Sequence, residues 1–432
     1  MKRRTFVKGS AGAIVLGGVP AVAAADATPA KDPVAPKAIV GGTLWTGNGE
    51  VVADATIQLA GERIAAVSKG TTGLDGAQII DAKGTIVTPG FVAVGNTVGL
   101  IEIELEPSTD DAGSDVAAAI RPAFAAYDGY NPESSLIPVA RLEGVTSVVP
   151  FPDGGLVSGT GAWFDLGRGT ATDLCAKPYA AVRVNLANRG VEAGGGARPE
   201  AFARFRELLE DARLYGRLRS SYDKGQMRSS RASRLDLERM QDVLGGKLPL
   251  VVEVARAADI LRVIDIAKAY RLKLVLFGAE EGWTIAESIA KAEVPVVVRP
   301  LTNLPEQFDR LRSRYENAAL LDAAGVRVVI ATPGPHDARH LRQQVGNALG
   351  WGFGEGKAVG AVTLEAAKLF GLERDYGTVE RGRMANVVVW TGGSPFDAGG
   401  WATQVIVRGE AMPMRSRQTA LFERYRKLPT AK

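Results

Sequence analysis

Histidine is nearly absent from this chain: 432 residues contain two, His336 and His340. A hydrolytic zinc or iron centre built from three or four imidazoles is therefore excluded. Cysteine is scarcer still. Cys175 stands alone, which rules out an intrachain disulfide and every multi-cysteine metal centre. Excess charge is lacking too. The 52 Lys and Arg against 48 Asp and Glu leave a net +4, too balanced to argue for a nucleic-acid partner. Long apolar runs are missing as well, and no stretch reaches the ~18 residues that a membrane span needs.

What is present is a globular composition, 46% hydrophobic and 23% charged, with 51 glycines and 22 prolines spread over many turns. The length suits two or three structural units, or one large barrel with an appendage. Residues 1–30 carry Lys2, Arg3, Arg4 and Lys8 ahead of a mild apolar run and small residues at Ala21, Ala23 and Ala25. This is the pattern of a cleavable export signal, to be excluded from the fold. The Arg3-Arg4-x-Phe6-Val7-Lys8 spacing resembles a twin-arginine leader, the alternative being an ordinary secretory signal with two incidental arginines. Either leader implies a periplasmic or otherwise exported protein.

From 31 to 88, short β-rich runs such as Lys37–Val40, Thr56–Leu59 and Ile64–Val67 are punctuated by glycine turns. The same texture returns at Met384–Trp390 and Gln404–Val407. Both ends, 31–88 and 376–432, are thus expected to build one small β-sandwich. Between them, over 89–375, apolar strand patterns at Val145–Val149, Ala181–Val184, Leu250–Val254, Leu272–Phe277, Val294–Val298 and Val326–Ala331 alternate with amphipathic helical patterns. This argues an α/β protein with a parallel sheet, a (β/α)₈ TIM barrel fitting better than an open sheet. The serine-rich basic stretch 217–234 reads as a surface loop.

The residues Gly41-Gly42-Thr43-Leu44-Trp45, Gly61-Glu62-Arg63-Ile64 and Ile80–Phe91 resemble the opening of the amidohydrolase superfamily, in its imidazolonepropionase-like branch. Thr363–Leu372 and Tyr376–Trp390 resemble its closing motifs. The resemblance spans most of 37–412 and implies a distorted (β/α)₈ barrel with a β-sandwich. It also implies metal-dependent hydrolysis at the C-terminal strand ends, with a His-x-His, a carboxylated lysine or acid, two more histidines and a strand-8 aspartate.

Laid on this sequence, those positions have lost their donors. Gly95-Asn96-Thr97 stands for the His-x-His, Gly278 for a histidine and Pro333 for the aspartate. Asp165 falls about where the lysine belongs, and Glu253 where a histidine is expected. Catalytic loss is the favoured expectation, with no cofactor and no divalent metal. The protein would then be a pseudo-hydrolase, acting as a binding protein or as the partner subunit of an active homologue in a homo- or hetero-oligomer. The alternative is a hydrolase of carbon–nitrogen bonds with an atypical site.

Candidates for that site are Asp165, Glu253 and Glu102, the last in a Glu102/Glu104/Glu106 series after strand 1, with an acidic group Asp110, Asp111 and Asp115 nearby. His336 and His340, at helical i, i+4 spacing, are candidate metal ligands. Arg256, Trp283 and Asn96 are candidate ligand-binding residues. For Arg256 the competing reading is an ion pair with Asp259, and for Trp283 it is packing.

Overall fold

A computed structural model describes residues 38–70, 74, 78–113, 119–226, 230–332, 334, 336–391 and 393–426. The expected leader at 1–30, together with Asp115 and Pro333, lies outside the described residues.

The chain opens with β1 (Ala38–Trp45), β2 (Val51–Ala60), β3 (Arg63–Lys69), β4 (Ile79–Asp81) and β5 (Ile86–Pro89). A second series follows: β6 (Phe91–Asn96), β7 (Val145–Pro150), β8 (Val157–Asp165), β9 (Cys175–Asn185), β10 (Leu250–Val254), β11 (Leu274–Gly278), β12 (Val296–Val298) and β13 (Val328–Ile330). The last strands are β14 (Val387–Thr391), β15 (Trp401–Val407) and β16 (Glu410–Ala411).

Two sheets result. One runs β16-β15-β14-β5-β1-β2-β3, with β4 added on β1, so both ends of the chain meet in it. The junction is β5 with β14, where Val87 faces Val389. Ile39, Ile57, Val87, Val387 and Ile406 make its core. The other sheet, β6 to β13 in chain order, is a nearly closed barrel. Beside the seam between β13 and β6, Val92 N donates to Val362 O at the end of the helix Glu355–Ala361, at 2.8 Å.

Strand periodicity decides what the barrel contains. Side chains alternate faces along a strand. Val251, Val275, Val297 and Val329 therefore point inward with Trp163 and Phe370. Their neighbours Val252, Leu276, Val298 and Ile330 point outward, into the layer shared with the helices. One of those helices, Ala257–Tyr270, has its N-terminal cap at Arg256 and ends on Arg271 in a left-handed conformation.

The barrel is distorted at one strand. β8 runs antiparallel to both β7 and β9, whereas every other neighbouring pair is parallel. Asp165, the last residue of this reversed strand, pairs with Ser147 near the start of β7. It is therefore carried to the pole where the parallel strands begin, away from the family's catalytic face, and does not take up the lysine position expected from the sequence.

There Asp165 is fully buried and joins the two sheets. It accepts from Ser147 Oγ (2.7 Å), Tyr376 Oη (2.7 Å) and Asn386 Nδ2 (2.9 Å). Burial pushes its carboxyl pKa up, and those three bonds only partly offset that. Tyr376→Phe removes one donor from a carboxylate that has no access to water. The expected loss is about 2 kcal/mol, read as a lower urea midpoint at unchanged slope.

Candidate active site at the barrel mouth

At the opposite pole, the C-terminal ends of the parallel strands frame a cavity of about 370 Å³. The inward positions just above the valine layer are polar. Arg183 and Asn185 continue the register of Ala181, Glu253 that of Val251, and Arg299 that of Val297. They meet across the cavity floor. Glu253 Oε2 accepts from Arg183 Nη2 (2.6 Å) and Asn185 Nδ2 (3.3 Å), and Glu253 Oε1 from Arg299 Nη2 (3.2 Å). Arg299 Nη2 also donates to Glu280 Oε1 (3.1 Å), with Arg310 Nη1 3.7 Å from the same oxygen. The Phe277 ring lies beneath both arginines, 5.4 Å from the Arg183 guanidinium carbon and 5.0 Å from that of Arg299.

The two carboxyls respond oppositely to this setting. Burial pushes Glu253 up, but Arg183 and Arg299 outweigh it and hold its pKa at about 2. Burial also pushes Glu280 up, and there it prevails over the attraction of Arg299, so its pKa stays raised.

Two positions that the sequence resemblance assigns to metal ligands are closely packed. Gly95 has φ +76°, and a Cβ there would overlap Cε2 and Cζ of Phe277. Gly278 has φ +86°, and a Cβ there would lie 2.8 Å from Glu280 Oε2. Aromatic and carboxylate groups thus occupy the space that two histidines would need. Thr97 supplies only a hydroxyl, and Glu253 is already shared between two guanidinium groups. Among the described residues no cluster of three or more His, Cys, Asp or Glu could hold an ion. A divalent metal does not fit this donor set, because two fixed cations stand where its charge would go.

Orphaned polar atoms gather in the same cavity. Thr97 Oγ1, the Nε atoms of Arg183, Arg299 and Arg310, and Asp309 Oδ1 are buried without a hydrogen-bond partner. Buried polar groups are normally paired, so such a concentration marks room for a polar guest. Glu104 and Glu306 stand among the lining residues.

Of the residues singled out from the sequence, the structure brings Glu253, Gly95, Thr97 and Glu104 into this cavity, and it places Asp165, Glu102, Asn96, Arg256, Trp283, His336 and His340 elsewhere. Glu102 accepts from Ser134 Oγ (2.6 Å) and Ser135 N (2.8 Å). Burial pushes its carboxyl up, but these bonds prevail and lower it. Its loop is not an extended strand, and Glu104 is the member of the series that reaches the mouth. Asn96 is 1% exposed and consumed locally, accepting from Val98 N and donating to Ala93 O. Arg256 caps its helix with Nε 3.8 Å from Asp259, in a separate surface groove. Trp283 donates from Nε1 to Arg312 O (2.8 Å) under the guanidinium of Arg314.

His336 and His340 belong to a 3₁₀ turn, not an α-helix. With three residues per turn, i and i+4 are rotated by roughly 120°, so the two rings do not share a face. His340 Nδ1 lies 3.1 Å from Asp337 Oδ1, and His336 lines a shallow surface cleft. Cys175 is pushed by burial to about 11, which leaves no thiolate at neutral pH.

Sequence reading missed Arg183, Glu280, Arg299 and Arg310. Arg183 and Asn185 carried a signal: in a run as apolar as Ala180–Leu186, polar residues at alternate positions mean that one face turns polar. Glu280 and Arg310 had none, since a loop conformation brings them in.

The residues 233–412 match the amidohydrolase family model. No curated protein matches the sequence. Among solved structures, an amidohydrolase from Thermotoga maritima shares 24% identity over 88% of this chain and 100% of its own, with a TM-score of 0.79. A prolidase complexed with N-methylphosphonate-L-proline shares 16% over 88% and 99%, with a TM-score of 0.55. Molinate hydrolase shares 17% over 87% and 94%, with a TM-score of 0.54.

Proposed function

We propose, from the premise that this chain carries the amidohydrolase-superfamily fold and its family sequence over 233–412, that the barrel mouth binds a small dipolar ligand and does not run metal-dependent hydrolysis. The observation that carries this reading is the filling of two ligand positions, Gly95 by Phe277 and Gly278 by Glu280. The ligand class follows from the lining. Arg183, Arg299 and Arg310 offer their unpartnered Nε atoms to a carboxylate, and Glu104 offers a countercharge to an amine, with Glu306 beside it paired to Arg310 Nη2 at 3.0 Å. A free amino acid or short peptide has that charge pattern. We further propose that the protein is exported, on the basis of its basic and apolar leader. It then serves as a binding protein, or as the partner subunit of a homologue that keeps its histidines.

A second reading rests on one observation, the opposed carboxyls. Glu253 stays ionised while Glu280 holds a proton more readily, the separation that an acid–base pair requires. On that reading Glu280 would donate a proton to the leaving nitrogen of an amide without help from a metal.

Both are tested together. Full-length protein purified without added metal is analysed for divalent ions, titrated with dipeptides by calorimetry, and assayed for their cleavage with and without chelator. The expected result is substoichiometric metal and saturable binding without turnover. Chelator-resistant turnover lost in Glu280→Gln establishes the second reading instead. A stoichiometric ion with chelator-sensitive turnover overturns both. Co-purification with a related subunit from the native source supports the partner role, and recovery strictly alone refutes it.

A further inference from the structure

The pole opposite the mouth carries a second and larger cleft, of about 680 Å³, which none of the mouth chemistry uses. Seven Lys and Arg residues line it against two glutamates, Glu293 and Glu373. The cations come from several separate elements. Lys177 lies at the start of β9, Lys273 and Arg327 precede β11 and β13, and Lys268 and Arg271 end the helix Ala257–Tyr270. Helix C-termini attract cations through their dipole, which accounts for Lys268 and Arg271. It does not account for Lys177, Lys273 or Arg327, which stand at strand starts.

Among the described residues, Lys268, Arg271, Lys273 and Arg327 make no ion pair. Lys177 is half-buried, and its Nζ donates to Phe370 O at 2.6 Å. Burial lowers its pKa, and the like charge of Lys273 lowers it further. Glu373, the neighbouring acid, has Oε2 buried with no partner. Like charges gathered in one concavity repel one another and raise the free energy of the empty protein. An anion in the cleft would relieve that repulsion at several groups together.

We propose that this cleft is a binding site for a compact multivalent phosphate, a ligand bearing two or three phosphoryl groups, and that it is independent of the mouth. Lysine ammonium groups and arginine forks both bind phosphoryl oxygens. The cleft is concave and closed on one side by the strand starts, which suits a small polyanion better than an extended one.

Calorimetric titration of the full chain with tripolyphosphate tests this. Saturable one-to-one binding is expected, weakening as salt is raised. The variant Lys177→Gln/Lys273→Gln is expected to weaken it at least tenfold. Because Lys177 also holds Phe370 O, a second variant confined to exposed groups, Lys273→Gln/Arg327→Gln, keeps the test open if the first misfolds. A charge-matched control, Lys69→Gln in β3 with Lys83→Gln in the turn before β5, is expected to leave the affinity unchanged. No saturable binding, or an equal loss in the control, overturns the site. Equally tight binding of citrate overturns the phosphate assignment.

Discussion

Glu253→Gln lowers the stability of the folded protein by about 3–5 kcal/mol, because it strips the shared countercharge from two arginines that are almost wholly withdrawn from water. Arg299 retains Glu280, but Arg183 keeps only Asp153 at 4.0 Å. Urea unfolding reads the loss directly, as a fall in midpoint at unchanged slope. A change within about 0.5 kcal/mol, the range of an ordinary surface substitution, means that the network is not held as described.

The same carboxylate predicts an acid limb. Its pKa is near 4.5 when unconstrained and about 2 in the fold. A depressed acid contributes stability that is fully present above the unfolded value and lost as pH falls through 4.5 towards 2. The shift corresponds to about 3 kcal/mol. Wild-type stability should drop steeply over that window, and the drop should be visibly shallower in Glu253→Gln.

Gly95→His, which places a histidine at the first of the positions that the resemblance assigns to a His-x-His, is expected to destabilise the protein by about 4 kcal/mol and to recruit no zinc. Two costs add. The backbone at 95 is left-handed, and the new Cβ overlaps the Phe277 ring. Thermal melts with and without zinc measure both parts of the expectation. The overlap also predicts coupling. Combining Gly95→His with Phe277→Ala should cost less than the two single losses added, since the alanine makes the room that the histidine needs. A variant that melts like the wild type and gains stability from zinc sinks the account of a mouth too crowded for a histidine at 95.

Much of the architecture could be read from residue order. The patterns at Leu250–Val254 and Ala257–Tyr270 coincide with β10 and its following helix, because continuous β-branched runs and a 3.6-residue apolar period leave little choice. The recurrence of β-rich texture near 384–407 pointed to a shared sheet, and β5 does pair with β14. The reversal of β8 was not legible. Gly159 and Gly161 mask any directional signal, and alternation looks the same in either chain direction. That is why Asp165 was aligned with a metal ligand and was found instead joining the two sheets. At the mouth, glycine at 95 and 278 could be read directly from the sequence. What fills the space beside them could not, because the Glu280 carboxylate is turned in by positive φ at Gly278 and Ala279, which sequence does not assign, and the Phe277 ring meets Gly95 from another strand.

The pairing of β5 with β14 also governs when the protein can finish folding. Val87 must wait for Val389, some three hundred residues later in synthesis. Until β14 has emerged, β5 keeps one unpaired edge. Pairing at that sequence separation is a non-local contact, the kind that slows folding.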